Sequence, residues 1–301
     1  MARSKFPKGA DPERRPSWLK VRYAPNDRAM ALGDVIQKLG LHTVCAEAKC
    51  PNISECWGVG TATLMILGDT CTRTCSFCAV ASGAPKPPDA NEPENVAKAI
   101  HYMNLSHVVI TSVDRDDLPD FGARHWADTI RWVHRVNPET SVEVLTGDFK
   151  GRKPLVEEVL AAEPEVFSHN LETTRELTRQ VRANSDYDRS LDVLRFAVEW
   201  GSPRVKTSVM LGMGETMAQV KQTMTDAREV GVHYFSVGQY LRPTRKHHQV
   251  QRFWHPDEFA ELKFFGESNL GFKYVEAGPL VRSSYHAERA VQAEREHREP
   301  A

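Results

Sequence analysis

From Ala62 onward the chain alternates short apolar runs, many of them β-branched, with longer stretches whose apolar positions recur every three to four residues. The runs are "ATLMIL" (62–67), "SHVVIT" (106–111), "SVEVLT" (141–146), "EVFSHN" (165–170), "RVKTSVML" (204–211) and "HYFSVGQY" (233–240). Runs of this length and composition predict strands. The periodic stretches predict helices near Pro93–Met103, Gly122–Val136, Lys153–Ala161, Tyr187–Trp200, Thr216–Val230 and Pro256–Glu267. Local punctuation agrees. Thr216 with Gln219 fits a capping box, Gly201 and Gly231 follow helices, and Pro256 suits a first turn.

Six strand-then-helix units imply a parallel sheet, because each helix returns the chain to the same edge. Six falls short of the eight strands of a closed barrel, so the expected α/β fold is an open or partial (β/α)6 barrel. Chemistry is then expected at the C-terminal ends of the strands. Residues 1 to about 30 are rich in Pro and Arg and read as an extended arm, and "ALGDVIQKLGL" (31–41) reads as a short amphipathic helix. The tail "HAERAVQAEREHREPA" (286–301) is charged and reads as a solvated helix or as disordered. The expected division is an N-terminal extension (1–60), the partial barrel (61–277) and a C-terminal extension (278–301), the extensions covering the open side.

Net charge changes the picture only by exclusion. At −1 in 301 residues it supplies no general attraction for nucleic acid or an acidic membrane surface. No run of about 18 apolar residues is present, and the first twenty residues lack the apolar stretch of a secretory signal. A cytoplasmic location is the expectation.

The cysteines change it more. All six lie between positions 45 and 78, as "CAEAKCPNISEC" and "CTRTCSFC". A reducing compartment makes metal ligation or catalysis the reading of such clustering, not disulfides. A structural zinc site or a ferredoxin-type cluster takes four protein ligands, and each group here offers three. Zinc completed by one of the twelve histidines remains open. So does a cluster with one iron left vacant, able to take a small molecule's amine and carboxylate.

The C-x3-C-x2-C spacing of Cys71, Cys75 and Cys78, with Phe77 before the last cysteine and a strand before the first, resembles the signature of radical S-adenosylmethionine (SAM) enzymes. The resemblance implies a 4Fe-4S cluster that chelates SAM, with Phe77 beside it. C-x4-C-x5-C at Cys45, Cys50 and Cys56 resembles the auxiliary-cluster motif of the lipoyl synthases, and "GPLVRSSYHA" (278–287) resembles that family's closing motif. "TSVDRDDL", "SHNLET", "VGQYLRPT" and "WHPDEF" are similar to other segments of it. Phe121 and Gln249 depart from the family pattern, and neither is a cluster ligand.

That family resemblance implies two 4Fe-4S clusters, with Ser284 the fourth ligand of the auxiliary one. It implies insertion of two sulfur atoms, at C6 and C8 of an octanoyl group on a carrier lysine, at the expense of two SAM molecules and of the auxiliary cluster. Partners would be octanoylated carrier domains (the glycine cleavage H protein and E2 subunits of 2-oxoacid dehydrogenases), an electron donor such as ferredoxin or flavodoxin, and an iron–sulfur carrier that rebuilds the cluster. Ser284 would act in catalysis as well: a hard oxygen ligand marks the corner from which iron is lost. SAM contacts are expected from Thr111, Ser112 and Asp114 after the second strand, Asn170 and Glu172 after the fourth, Lys206 in the fifth and Arg242 after the sixth. "RKHH" (245–248) is expected to be a solvated loop. A tRNA methylthiotransferase, or a non-enzymatic zinc or iron–sulfur module, is the competing reading.

Overall fold

The structure, a computed structural model, describes residues 15–20, 36, 41–47, 50, 52–58, 60–285 and 287. The charged tail beyond 287 and most of the 1–41 region lie outside the described residues.

All six predicted strands are present. Counting every strand in chain order, β1 is His42–Thr43, β2 Thr61–Ile66, β3 Thr70–Cys71, β4 Ala81–Ser82, β5 His107–Ser112, β6 Ser141–Leu145, β7 Val166–Ser168, β8 Val205–Leu211, β9 Tyr234–Gln239 and β10 Tyr274–Gly278. Eight of them form one sheet in the order β1-β2-β5-β6-β7-β8-β9-β10, and β3 pairs with β4 in a separate two-stranded ribbon. From β2 to β10 every neighbour in the large sheet is parallel, and only β1 is antiparallel. The two ends are not bonded to each other, so the sheet stays open. It holds seven parallel strands where the sequence predicts six. The seventh, β10, follows helix Pro256–Phe264, and its Glu276 and Gly278 dilute the apolar signal.

The sheet is a core layer because its inner strands have little solvent face: every residue of β2 and β9 is buried, and Val108, Val109, Ile110, Val142, Val144 and Val205 are fully so. Covering each such side chain contributes about 1.5–3 kcal/mol. Ala97 and Ile100, Trp126 and Ile130, Val156 and Val159, Leu191 and Leu194, and Val220 and Met224 pack into the same core from successive helices. The helix boundaries follow their caps. Thr216 and Gln219 make the expected capping box, Asp186 accepts from the Arg189 amide at 2.9 Å, and Gly201 ends its helix at φ +95°. Helix Arg175–Val181, unpredicted, is short and mostly polar. The last predicted helix stops at Phe264 and runs into a π-turn, Phe265–Asn269. Among the described residues no helix is long and apolar enough to cross a membrane.

Candidate active site at the C-terminal rim of the sheet

Leaving β2, the chain turns sharply because Leu67 and Gly68 both take left-handed backbone angles, φ +66° and +93°. The cysteine loop follows, its base closed by the β3–β4 ribbon and by the Gly83 amide donating to the Cys71 carbonyl at 2.9 Å. Neighbours from several strand ends then pin it. Cys71 Sγ accepts from the backbone amides of Arg73 (3.4 Å) and Asp114 (3.3 Å), and the Thr72 amide and hydroxyl both donate to the Asp114 carbonyl. The Ser76 amide and hydroxyl donate to Val181 O, at the end of helix Arg175–Val181. Phe77 packs with Val181, Met213, Tyr240 and Val250. Apart from the two amides on Cys71 Sγ, these contacts are made by the backbone or by a residue between the cysteines, and none of the three thiols is in a disulfide.

Arg73 is the anchor of this loop. It is 3% exposed and faces three carboxylates: Asp116 in a two-pronged contact (2.9 and 2.7 Å), Asp148 (2.8 Å) and Asp114 (3.4 Å). Burial alone would lower its pKa, but these anions raise it far above the ordinary value, so the guanidinium is permanently charged. Asp148 is fully buried; burial opposes its charge, yet Arg73 first, then His169 and Arg189, hold it well below the usual carboxylate range. The acidic "DRDD" segment is thus the counter-charge of the cysteine loop. Gly147 makes room for it, since a Cβ there would meet Asp114 Oδ1 at 2.4 Å.

Across from the thiols lie the ends of β7 and β8. Asn170 donates to Glu172 at 3.1 Å, and Glu172, at φ +66°, is bonded through its backbone to Ser208 and Met210 on β8. Arg182, 7% exposed, donates to the Leu171 carbonyl and has a buried Nε without a partner. Burial pushes the Cys75 thiol up to about 12, against the pull of Arg182 and with the push of Asp114, Cys78 and Glu172. Burial likewise raises Cys78 to about 11, with Cys71, Glu172 and Asp114 adding to it. The charges of Asp114, Glu172 and Arg182 are therefore felt at the thiols.

Four of the predicted contact residues have other commitments. Thr111 donates to the Leu145 carbonyl at 2.9 Å, and Ser112 lines a small crevice with Arg73, Asp114 and Gly147. Lys206 is buried within the sheet and held by Glu143 at 3.0 and 3.1 Å, with Ser168 on the same carboxylate, which answers the cost of burying an ammonium. Arg242 donates to the carbonyls of His247 and Arg245 and so shapes its own loop. That loop is not simply solvated, as "RKHH" suggests. His247 Nε2 donates to the Cys78 carbonyl at 2.9 Å, the His248 amide to Ser76 O at 2.8 Å, and His248 Nε2 to Met213 O at 2.9 Å. Backbone acceptors 35 to 172 positions away leave no trace in a local motif.

The upstream triad is built differently. Cys45 sits in the short helix Val44–Glu47 that follows β1, Cys50 is tied by its amide to the Cys45 carbonyl, and Cys56 sits in helix Ile53–Gly58. Onto it docks the segment after β10. Asn52 Nδ2 donates to Leu280 O at 2.7 Å, and Tyr285 Oη donates to Glu55 at 3.1 Å. Cys50 is raised by burial, with its own neighbour Cys45 adding and Arg282 opposing. The same segment crosses the end of β9 so closely that a Cβ on Gly238 would meet Val281 O at 2.0 Å. Ser284, half-buried, lies between Arg282 and Tyr285, both coupled to this loop. Among the described residues no three His, Cys, Asp or Glu side chains converge as a single bound metal ion requires.

Comparison with known proteins decides the family. A family model of the Radical SAM superfamily matches residues 65–227. The lipoyl synthase of Flavobacterium psychrophilum is 48% identical over 280 residues, 93% of this chain and 96% of its own length. That of a Bacteroides fragilis strain is 50% identical over 278 residues, 92% of this chain and 96% of its own. The chain belongs to the lipoyl synthase family of the radical SAM superfamily. Its fold agrees: the solved structure of methylornithine synthase superposes with a TM-score of 0.56 at 14% identity, over 91% of this chain and 96% of that one. The family implies SAM and a 4Fe-4S cluster, and the donors here fit one: three unpaired soft thiols in eight positions, buried enough that forming thiolates calls for a cationic centre.

With the family in hand, residues that sequence reasoning passed over become visible. Arg73 hides between two ligands, and Arg182 sits in an ordinary polar stretch. Glu215 takes the amides of Gly212 and Met213 and the indole of Trp254, bracing the turn after β8. Gly212, at φ +106° with Arg252 O 2.6 Å from its Cβ position, accepts no larger residue. A "GMGE" turn directly after a strand was the available signal.

Proposed function

We propose that this lipoyl synthase family member, a radical SAM sulfurtransferase, works with two clusters, one held by Cys71, Cys75 and Cys78 and one by Cys45, Cys50, Cys56 and Ser284. The first supplies, when bound, the one-electron cleavage of SAM that opens an unactivated C–H bond, and the second supplies sulfur. Acid–base groups alone could not open such a bond, so the chain's own task is position and exclusion. Asn170, Glu172 and Arg182 face the first thiol set and are suited to the hydroxyl, amine and carboxylate groups of SAM. Thr111, Ser112 and Asp114 shape the adjoining strand end, Phe77 packs the loop, Lys206 braces the sheet beneath, and Arg242 holds the loop above.

The observation that carries the two-cluster reading is the docking of the 278–285 segment on the upstream triad, through Asn52–Leu280 and Glu55–Tyr285. It supports Ser284 as the oxygen ligand that completes a three-thiol set. The sulfur acceptor is the octanoyl chain on a lysine of an H protein or E2 lipoyl domain. A ferredoxin or flavodoxin supplies electrons, and an iron–sulfur carrier restores the spent cluster.

The test is anaerobic reconstitution with SAM, a reductant and an octanoyl-lysine peptide, followed by mass spectrometry. Two added sulfurs per peptide are expected; an unmodified peptide alongside abundant 5′-deoxyadenosine would overturn the substrate assignment. Ser284→Cys is expected to keep 5′-deoxyadenosine formation and lose the two-sulfur product. Full product yield from that variant would remove Ser284 from the ligand set.

A further inference from the structure

The turn that delivers the cysteine loop is held by charged groups outside the thiol set. β2 ends at Ile66, and Leu67, the next residue, takes φ +66°, a conformation costly for any residue with a Cβ. Backbone strain of this kind persists only where the surroundings over-determine it. Here they do so on three sides. The Leu67 amide donates to Glu92 Oε2 at 2.7 Å, and the Leu67 carbonyl accepts from Arg115 Nη1 at 3.3 Å. Its buried side chain packs on Gly122, where a Cβ would meet Leu67 Cδ1 at 2.5 Å.

Glu92 opens helix Glu92–Met103 and is itself buried. The oxygen that takes the Leu67 amide also accepts from His125 Nε2 at 2.6 Å, so helix Ala123–Val136 fixes the carboxylate from behind. Arg115, buried too, is held by Asp117 in a two-pronged contact (2.9 and 2.8 Å). Burying a carboxylate and a guanidinium to hold one peptide is costly, and a turn open to water would need neither. The span they control is short: only Gly68, Asp69 and Thr70 separate Leu67 from Cys71. Consecutive residues of the acidic segment hold both ends of that span, the Asp114 amide on Cys71 Sγ at 3.3 Å and Arg115 on the Leu67 carbonyl. Cys71 therefore stands between two charged anchors, Leu67 before it and Arg73 after it.

We infer that Glu92 is a positioning residue for the first cluster: through the Leu67 amide it fixes the approach to Cys71, and with it the placing of that thiol against Asn170, Glu172 and Arg182. This inference rests on the proposed assignment of Cys71, Cys75 and Cys78 to the cluster that cleaves SAM. Glu92 acts through the backbone, since its carboxylate is engaged by Leu67 and His125. What the Leu67 amide requires is an acceptor at that point. An amide oxygen has two lone pairs and can serve Leu67 and His125 together, whereas a methyl side chain can serve neither. That difference separates positioning from mere bulk or charge.

The experiment compares reconstituted wild-type, Glu92→Ala and Glu92→Gln holoenzymes. It measures iron content, hydrogen exchange resolved by mass spectrometry, EPR of the dithionite-reduced protein with and without SAM, and dithionite-driven SAM cleavage. Glu92→Ala is expected to keep its iron, to exchange faster in the peptide spanning 64–70 and not elsewhere, and to show an altered SAM-induced change in EPR. Its cleavage of SAM should fall about tenfold to a hundredfold. Glu92→Gln should stay within about threefold of wild type in cleavage and match it in exchange and EPR. Cleavage and EPR left unchanged in Glu92→Ala overturn the inference, whatever the exchange shows. Equal impairment of the two variants overturns it too, by making charge and not the acceptor the requirement. So does faster exchange throughout the chain with iron lost from both sites, which makes Glu92 a general support of the fold. Where Glu92→Ala loses only about half its iron, recovery of iron and cleavage in Glu92→Gln supports the role, and no recovery overturns it. If wild-type protein cleaves no SAM, the cluster assignment fails, and exchange at 64–70 still decides whether Glu92 holds the turn.

Discussion

The two cysteine triads offer the same number of thiols and are held in opposite ways. The loop of Cys71, Cys75 and Cys78 grows out of the sheet: its strand is buried from end to end, and the ends of β5, β6 and β9 and helix Arg175–Val181 each grip it. The triad of Cys45, Cys50 and Cys56 has one two-residue strand on the sheet and owes its remaining named contacts to a segment some 230 positions later. On the proposed two-cluster reading, the site that must stay whole through every turnover is built into the core, and the one whose contents are consumed sits where it can be opened.

The sharpest test of that contrast is removal of one thiol from each set. Cys75→Ala and Cys50→Ala should each lose about half the iron, about four atoms per chain. Only Cys75→Ala should lose all detectable 5′-deoxyadenosine, and equal loss in both would erase the distinction. Next in size is Arg73→Ala. It strands Asp114, Asp116 and Asp148 around a missing charge and should cost about 3–5 kcal/mol of stability in denaturant titrations, with Arg73→Lys recovering part.

Gly238→Ala probes the other site. The new methyl collides with the Val281 carbonyl, so the crossing segment must lift. Stability should fall by about 1–3 kcal/mol, and sulfur insertion should drop while SAM cleavage persists.

His169, fully buried, has its pKa held down to about 4 by burial first and then by Arg182. The unfolded chain binds a proton there that the folded chain refuses, so stability is fully present above about pH 6.5 and declines as pH falls toward 4. His169→Gln should flatten that slope in the same denaturant titrations. Smallest is Tyr285→Phe, which removes one half-exposed hydrogen bond to Glu55. A loss of about 0.5–1.5 kcal/mol is expected, visible as weaker retention of the second cluster and not as lost SAM cleavage.

What was legible in the sequence follows the same division. The six apolar runs, the capping box at Thr216 and the cysteine spacings are local signals, and each appears where the pattern puts it. β10 was missed because an edge-side strand with Glu276 and Gly278 lacks a continuous apolar run. Arg73 was missed because its meaning lies in Asp114, Asp116 and Asp148, which are 41 to 75 positions away. His247 and His248 were read as solvated because their partners are carbonyls, which every residue has. Lys206 was legible as a charge inside the fifth strand and read as a SAM contact, but Glu143 as its partner was not legible. The structure supplies pairings between distant positions; the sequence had already displayed the chemistry to be paired.

The contact of Leu280 with Asn52 has a consequence for biosynthesis. On the proposed two-cluster reading, synthesis reaches the last clasp of the Cys71–Cys78 loop, His248, before it reaches Leu280, so the residues of the first site are complete before those of the second. Iron delivered between the two would find three upstream thiols and no oxygen donor, which orders maturation: the electron-accepting centre first, the sulfur reservoir last.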